Sequence, residues 1–248
     1  GGRKRSSRAR FPVAYPQVCA GFLSSRRLHL LRRSISALVK HFEEHEADIP
    51  YELVWVDNDS GEEAMSIYKE FDFERVALYK INYGATHGLN TLIFDLCSRS
   101  EYVMTMEEDW EWKEDKTHIP IVSMAIQVLR EDKVVVGVLF REELDYKAEL
   151  TDWMTTSDGI EYRRHCMKVD SMGWGAWTNG AAIWKRKFLE EKVGRQNEDW
   201  GDGAELEYAQ RVGRRGCAAQ IRVVEGCETT SCNSVARHIG ETATGQLQ

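Results

Sequence analysis

Strand and helix patterns alternate along this chain, and the alternation limits its fold more than any other feature. Short apolar runs are separated by segments whose apolar residues recur at helical spacing. The strand-like runs are residues 13–25, 51–58, 75–81, 101–106 and 133–140. This order predicts an α/β fold, a mostly parallel sheet with helices on both faces. Ligands of such sheets bind outside the carboxyl ends of the strands, so functional residues are expected in the segments that follow them.

The size and composition of the chain suit one large domain. It has 248 residues, 42% of them hydrophobic, which is enough for a sizeable core. Four prolines and the absence of any Ser/Gly-rich or low-complexity stretch leave no visible linker. We therefore expect a single domain over residues 13–248, preceded by a flexible basic arm at 1–12 that contains "RKRSSRAR".

Charge and hydropathy argue against two classes of protein. The formal charge is -7, from 40 acidic and 33 basic side chains mixed along the sequence, which does not suit a protein that binds nucleic acid through phosphate contacts. No apolar stretch reaches the ~18 residues that a membrane-spanning helix needs. We expect no nucleic-acid partner and no membrane span in this sequence. It begins with Gly-Gly and not with methionine, a pattern compatible with an anchor or targeting signal upstream.

Polar and acidic residues accumulate directly after three of the strand-like runs. They are Asp57, Asn58 and Asp59 after the second run; Asn82, Gly84 and His87 after the third; and Glu107, Glu108 and Asp109 after the fourth. Carboxylates crowded in a cleft raise each other's pKa unless a cation is present. Mg²⁺ or Mn²⁺ takes oxygen ligands from one or two carboxylates and completes its shell with substrate phosphates. The pattern therefore predicts a divalent cation holding a diphosphate.

A simpler interpretation of the acidic triplet is a solvated turn whose charges cap the next element. Trp110 and Trp112, which follow it at once, would be unusual in an exposed turn. We therefore favour the metal interpretation.

Three segments together resemble a known family. "VDNDSGE", "NYGATHGLN" and "MTMEEDW" are similar, in sequence and order, to segments of glycosyltransferases of the glycosyltransferase-A fold, especially the inverting, family-2-like and N-acetylglucosaminyltransferase-like members. The resemblance implies a Rossmann-like, mixed and mostly parallel sheet flanked by helices. It also implies a nucleotide-sugar-binding half at 13–112 and an acceptor-binding half at 113–248.

The resemblance implies roles for the residues after the strands. Asp57 would contact the uracil or its ribose, Glu107 would face the ribose or donor sugar, and Asp109 would ligate the metal directly. Asn58, Asp59, Asn82, Gly84, His87 and Glu108 would complete the nucleotide and donor site.

Residues 197–216, "NEDWGDGAELEYAQRVGRRG", resemble the family's segment in which a carboxylate at a helix start is the catalytic base. Glu205 is our first choice for that base, with Asp199 and Asp202 as alternatives. Such acids can also simply cap a helix N-terminus. His238, in "VARHIGE", resembles the late histidine that completes the metal shell or touches the diphosphate; a structural histidine is the alternative.

Tryptophans supply the predicted sugar contacts, because an indole face stacks on the apolar side of a sugar ring. Residues 173–184, "GWGAWTNGAAIW", resemble the family's donor and acceptor loop. We expect Trp174, Trp177 and Trp110 to contact acceptor or sugar, and Trp184 to pack in the core.

Together these features predict a metal-dependent inverting glycosyltransferase. Its donor would be a nucleotide sugar, most plausibly a UDP-sugar, its cofactor Mn²⁺ or Mg²⁺, and its acceptor a hydroxyl of a glycan or glycoprotein. Two other functions stay open. One is a nucleotidyltransferase that makes a sugar nucleotide, although no Gly-rich basic phosphate loop follows the first strand. The other is a non-catalytic carbohydrate-binding module with the same fold.

The six cysteines do not fix the compartment. Cys217, Cys227 and Cys232 lie close enough in sequence for a disulfide within this group if the protein is luminal, and free core thiols are the alternative. The Golgi or ER lumen, with this chain as the catalytic part of an anchored protein, is favoured over the cytoplasm.

Overall fold

The computed structural model describes residues 16–116, 118–141, 148–167, 177–225 and 233–240; at 114, 148, 201 and 202 only the backbone is described. The strands are β1 (Val18–Ser24), β2 (Tyr51–Asn58), β3 (Arg75–Tyr79), β4 (Tyr102–Glu107), β5 (Trp110–Trp112), β6 (Val135–Leu139), β7 (Ala148–Leu150), β8 (Met154–Thr155), β9 (Glu161–Met167), β10 (Ala182–Lys185), β11 (Cys217–Ile221) and β12 (Ala236–His238). The helices are α1 (Leu28–His45), α2 (Ala64–Glu70), α3 (Ala85–Asn90), α4 (Ile121–Glu131), α5 (Arg186–Phe188) and α6 (Ala204–Gly213). Two π-helical segments, Thr91–Leu96 and Leu189–Val193, continue α3 and α5, and short 3₁₀ turns occupy Gly61–Glu63, Glu114–Lys116 and Glu198–Gly203.

The central sheet has ten strands, in the order β3-β2-β1-β4-β10-β6-β11-β9-β7, with β8 paired to β9. The strands β3, β2, β1 and β4 are parallel, as are β6 and β11. β10 lies antiparallel between β4 and β6, and β7, β8 and β11 pair antiparallel with β9. The predicted α/β class, with a mixed and mostly parallel sheet flanked by helices, is confirmed. The division into two halves at 112/113 stays a prediction.

Helices cover both faces of the parallel part of the sheet, which explains why β1 is buried along its whole length. Leu31, Ile35 and Leu38 of α1 recur at helical spacing and join the core on one face. On the other face Leu92 packs so close to Gly21 that a Cβ on Gly21 would lie 2.5 Å from its Cδ2. Glycine in the middle of β1 therefore lets the helical layer approach the sheet.

A second, two-stranded sheet decides where the functional side chains meet. β12 pairs antiparallel with β5, and the register places His238 opposite Trp110. The backbone N–H of Ile239 donates to the carbonyl of Asp109 at 2.7 Å. This pairing brings the late histidine segment to the acidic triplet after β4.

The cysteines correct one expectation. Cys217 forms a disulfide with Cys166, outside the group in which its partner was expected, and Cys19 forms one with Cys97. The two cysteines of each disulfide lie far apart in sequence. The fold, and not their order in the chain, brings them together. Cys227 and Cys232, like the basic arm at 1–12, lie outside the described residues. Of the helices that the structure describes, none combines the length and hydrophobicity that crossing a membrane requires.

Candidate active site

The acidic triplet lies where β4 turns into β5, at the carboxyl ends of the parallel strands. Glu107 is the last residue of β4, and Glu108 and Asp109 form the turn. The backbone N–H of Glu108 donates to the carbonyl of Leu23 at 3.1 Å, which fastens the turn to the end of β1. Glu108 and Asp109 are only 5% and 6% exposed. Two nearly buried carboxylates need positively charged or hydrogen-bonding partners.

Two side chains contact the same oxygen of Asp109. Nη1 of Arg27 lies 2.8 Å and Nε2 of His238 lies 3.2 Å from Asp109 Oδ2. Arg27 also reaches Glu108, with Nη2 at 2.7 Å from Oε1. A Cβ on Gly240 would lie 2.9 Å from Asp109 Oδ2, so the backbone closes this pocket from a further side. The structure thus gathers Asp109 and His238, both predicted metal ligands, around one point.

Glu107 lies in a strongly negative environment. Burial raises the pKa of Glu107 to about 8, and the nearby charges of Asp109, Glu205 and Glu108 add to the increase. Arg141 opposes it with its positive charge. Glu205, on α6, is thus close enough for its charge to act on Glu107. This site therefore concentrates negative charge that a bound cation would relieve.

Among the predicted candidate bases, Glu205 is the one whose charge acts on the triplet residue Glu107. It lies in the first turn of α6, and its Oε1 accepts the backbone N–H of Asn179 at 3.3 Å. Burial raises its pKa, while the Asn179 N–H and Arg141 lower it. Asp199 is exposed and its own backbone N–H bonds to the side chain of Asn197. The backbone of Asp202 lies in the turn before α6, and its side chain lies outside the described residues.

The residues predicted to hold the nucleotide base are engaged within the protein. Asp57 is 1% exposed; it accepts the backbone N–H of Ser60 at 2.9 Å and the hydroxyls of Ser60 and Ser24 at 2.5 and 3.2 Å. The Asn58 amide donates to the Gly84 carbonyl at 3.0 Å and accepts the Tyr83 N–H at 2.9 Å. In this structure the pair therefore shapes the loops after β1, β2 and β3.

The remaining donor-side residues are more accessible. Asp59 has a positive φ of 74° and ion-pairs with Arg26 at 2.5 Å. Asn82 is exposed and accepts the Gly84 N–H at 2.7 Å, where Gly84 has φ 85°. Both loops present polar groups beside the end of β2, which is where the resemblance places the nucleotide.

His87 connects the donor side to the segment before the candidate base. Its Nδ1 lies 2.9 Å from Glu198 Oε2, and Asn90 donates to the other Glu198 oxygen at 2.9 Å. Its ring centroid lies 4.9 Å from that of Tyr83, whose side chain is 53% exposed. His87 thus fastens the turn at 198–203 to α3, a contact that the sequence did not predict.

The predicted sugar-binding tryptophans are differently placed. Trp177 is 3% exposed and packs between Trp184 and Tyr208, with centroids 4.5 and 4.7 Å away. Trp110 is 6% exposed and lies beneath Arg141. Neither ring presents a broad face to solvent, because both complete the core behind the site. Trp174 lies outside the described residues.

Three site residues went unrecognised in the sequence. Arg27 and Arg141 supply the positive charge around the triplet, and Glu198 holds His87. Arg27 did carry a weak signal, since a cation at the start of a helix opposes the helix dipole. Arg141 and Glu198 carried none, because their partners are far away in the sequence.

The donor set fits a divalent cation with few protein ligands. Carboxylate oxygens suit Mg²⁺ and Mn²⁺, imidazole is a common ligand of transition metals, and the hard divalent cations commonly complete their shell with water and phosphate oxygens. Asp109 and His238 supply one such pair, in contact. Within the described ranges no group of three or more His, Cys, Asp or Glu side chains is arranged to hold a metal ion.

Comparison with known proteins finds solved structures with a similar fold but no close relative in sequence. No protein-family profile and no curated protein sequence matches the chain. Solved structures do match, with low sequence identity. One is S. aureus TarS 1-349 (TM-score 0.55, 11% identity, 82% of this chain and 57% of that one). Another is GalNAc-T7 with UDP, GalNAc and Mn²⁺ (TM-score 0.58, 11% identity, 82% and 42%).

A third similar structure is a mannosyltransferase. It is the mannosyltransferase PcManGT from Pyrobaculum calidifontis, in complex with GDP-Man and Mn²⁺ (TM-score 0.52, 17% identity, 87% of this chain and 60% of that one). The chain thus spans 57% of the TarS fragment and less than half of GalNAc-T7. The structural neighbours are glycosyltransferases, and the chain has the glycosyltransferase-A fold that its motifs resemble.

Proposed function

We propose that this protein is a metal-dependent inverting glycosyltransferase that transfers a sugar from a nucleotide sugar, UDP-linked in the first instance, to a hydroxyl of a glycan or glycoprotein. One observation carries the proposal. Asp109 and His238 contact each other at the carboxyl end of β4, and the charge of Glu205 helps to raise the pKa of Glu107 in the same triplet. The metal ligands, the residue that faces the donor sugar and the catalytic base would thus share one cleft.

Each of these residues has a role that its surroundings support. Asp109 and His238 would hold Mn²⁺ or Mg²⁺, which when bound neutralises negative charge on the diphosphate leaving group. Glu107 would orient the donor sugar from the end of β4. Arg141 lies close enough to lower the pKa of Glu107 and of Glu205, and would keep the base ionised.

Glu205 would accept the proton of the acceptor hydroxyl. In a single displacement the hydroxyl oxygen forms a bond to the anomeric carbon, the bond from that carbon to the diphosphate oxygen breaks, and the proton passes to the Glu205 carboxylate. General-base assistance of this kind contributes about 10²–10⁴-fold in rate. The Asn179 N–H donates to Oε1 of Glu205, and Oε2 would take the proton of the acceptor hydroxyl.

The nucleotide and the metal can be tested together by thermal unfolding. We would screen UDP, GDP and their sugar conjugates, each with and without Mn²⁺. A ligand at about 100 times its Kd adds about 2.7 kcal/mol of stability, which raises the Tm of a domain of this size by about 5–10 °C. We expect the increase for one nucleotide series only, and only with Mn²⁺.

The matched variants are Asp109→Asn and Glu111→Gln. Both remove one negative charge from the segment at the start of β5, but Glu111 pairs with Arg33 and Arg237 and not with the triplet's partners. Asp109→Asn should abolish the Mn²⁺-dependent increase and sugar transfer, whereas Glu111→Gln should retain both. Normal transfer by Asp109→Asn would rule out the metal-ligand role. Pyrophosphate release from a nucleoside triphosphate would favour a nucleotidyltransferase, and glycan binding without turnover would favour a binding module.

The disulfides support an oxidising compartment. Two bridges, Cys19–Cys97 and Cys166–Cys217, join distant segments of the described structure, and such bridges persist chiefly in secreted and luminal proteins. We therefore propose that the protein acts in the Golgi or ER lumen. Microscopy of the tagged protein would test this. Protease added outside intact vesicles should leave a luminal protein uncut.

A further inference from the structure

Arg27 forms ion pairs with two of the three acids of the triplet. Its Nη2 and Nε lie 2.7 and 2.8 Å from Glu108 Oε1, and its Nη1 lies 2.8 Å from Asp109 Oδ2. The residue stands at the N-cap of α1, where the helix dipole disfavours a positive charge. Glu108 and Asp109 therefore stabilise the positive charge of Arg27, which the dipole of α1 disfavours.

Arg27 occupies the oxygen that a metal ligand must offer. The Asp109 oxygen that contacts His238 is Oδ2, and Arg27 contacts that same atom. A divalent cation held by Asp109 and His238 would come within a few ångströms of the guanidinium, and like charges at that distance repel strongly in a partly buried site. Metal and Arg27 cannot both use this oxygen in its present geometry.

Arg27 is the partner that can move. Its side chain is 45% exposed, whereas those of Glu108 and Asp109 are 6% and 9% exposed. A diphosphate offers an arginine the same two-oxygen geometry that the carboxylates offer, with more negative charge. A nucleotide diphosphate beside the triplet would therefore compete successfully for the guanidinium.

We propose that Arg27 is a built-in counter-ion of the acidic triplet, which blocks Asp109 Oδ2 until a nucleotide diphosphate draws its guanidinium away. The inference rests on the proposed function, because the metal and the diphosphate belong to it. As a consequence, the binding of the metal is coupled to the binding of the nucleotide. The metal binds weakly alone and more tightly once the nucleotide is present. By linkage the nucleotide gains the same factor from the metal.

The experiment measures Mn²⁺ binding directly, by the electron paramagnetic resonance signal of the free ion, with and without UDP. Arg27→Gln is compared with the wild type and with Arg33→Gln, which makes the same charge change on α1 but contacts Glu111 and not the triplet. We expect Arg27→Gln to bind Mn²⁺ alone about tenfold more tightly, the worth of about one charge-assisted contact. We also expect UDP to enhance Mn²⁺ binding less in this variant than in the wild type.

Arg33→Gln should bind Mn²⁺ as the wild type does. If Arg27→Gln does not fold, Arg27→Lys serves instead, because lysine keeps the charge but not the fork that reaches both acids, and a few-fold tightening is expected. Equal Mn²⁺ affinity and equal UDP enhancement in the wild type and the Arg27 variant would overturn this inference alone. Absence of Mn²⁺ binding in every variant, together with sugar transfer in excess chelator, would overturn the metal site of the proposed function as well.

Discussion

Nε2 of His238 lies 3.2 Å from Oδ2 of Asp109, although Asp109 lies in the turn after β4 and His238 lies in β12, far along the chain. The short β5–β12 sheet makes the contact, because its register sets His238 opposite Trp110, the residue after Asp109. Backbone pairing fixes the separation of the two side chains more firmly than a loop would. A carboxylate and an imidazole held in this way form a preorganised pair for a metal that needs few protein ligands.

Replacing the candidate base should separate chemistry from binding. We expect Glu205→Gln to lower kcat by about 10²–10⁴-fold, because the amide cannot accept the acceptor proton. UDP and Mn²⁺ affinities should stay close to those of the wild type. Asp199→Asn, at an exposed position, should leave kcat within about twofold. The reverse pattern would make Asp199 the base.

Adding a methyl group at Gly240 should damage the metal pair. A Cβ there would lie 2.9 Å from Asp109 Oδ2 and 3.0 Å from His238 Cε1, closer than van der Waals contact allows. The short Asp109 side chain must then turn away from His238. We expect Gly240→Ala to weaken Mn²⁺ binding by about tenfold or more in a titration followed by electron paramagnetic resonance. Unchanged Mn²⁺ affinity would mean that the pair does not bind the metal.

The stability of the metal-free protein should fall as the pH rises toward 8. Burial, with help from Asp109, Glu205 and Glu108, raises the pKa of Glu107 from 4.5 to about 8. The folded protein therefore binds this proton more tightly than the unfolded chain does. The resulting stability is complete below about pH 4.5 and is lost progressively up to about pH 8.

Glu107→Gln isolates that contribution. In chelator, we expect the variant to gain about 2 kcal/mol on the wild type between pH 6 and pH 8, measured by urea unfolding at each pH. Comparing the two proteins cancels the other titrating groups to first order. Parallel stability curves for the two proteins would show that Glu107 is ionised throughout this range.

The contact of His87 with Glu198 should order the turn before the candidate base. His87→Ala removes one of the two side chains that hold Glu198, so amide hydrogen exchange in residues 198–203 should become faster. Transfer should fall several-fold, because Glu205 follows this turn directly. His29→Ala, at an exposed position on α1, should change neither exchange nor transfer. Unchanged exchange in 198–203 would show that Asn90 alone is sufficient.

Each disulfide should contribute substantially to stability. The bridges close loops with sequence separations of 78 and 51 residues, for which chain entropy gives about 4 kcal/mol each. We expect the double substitution Cys19→Ser with Cys97→Ser, and likewise Cys166→Ser with Cys217→Ser, to lower the free energy of unfolding by about this amount. Unfolding curves in guanidinium would measure it. A loss below about 1 kcal/mol would mean that the bridges are dispensable.

Local patterns were sufficient to predict the parallel part of the sheet. Apolar runs such as 51–58 bury both faces, and only a sheet covered by helices on both sides accepts such strands. Parallel strands end at the same edge, so the acids of the fourth run had to lie near that edge. The same reasoning gave no role to β10, which enters antiparallel between β4 and β6.

The sequence by itself determined the α/β class and placed Glu107, Glu108 and Asp109 at a strand end, because hydrophobic periodicity and strand direction are local properties. Only the tertiary structure decided that Arg27 and His238 share one oxygen of Asp109, that Cys166 bridges to Cys217, and that Trp177 is buried. Those contacts depend on strand order and register, which arise from packing of the whole chain and leave no periodic trace in any one segment.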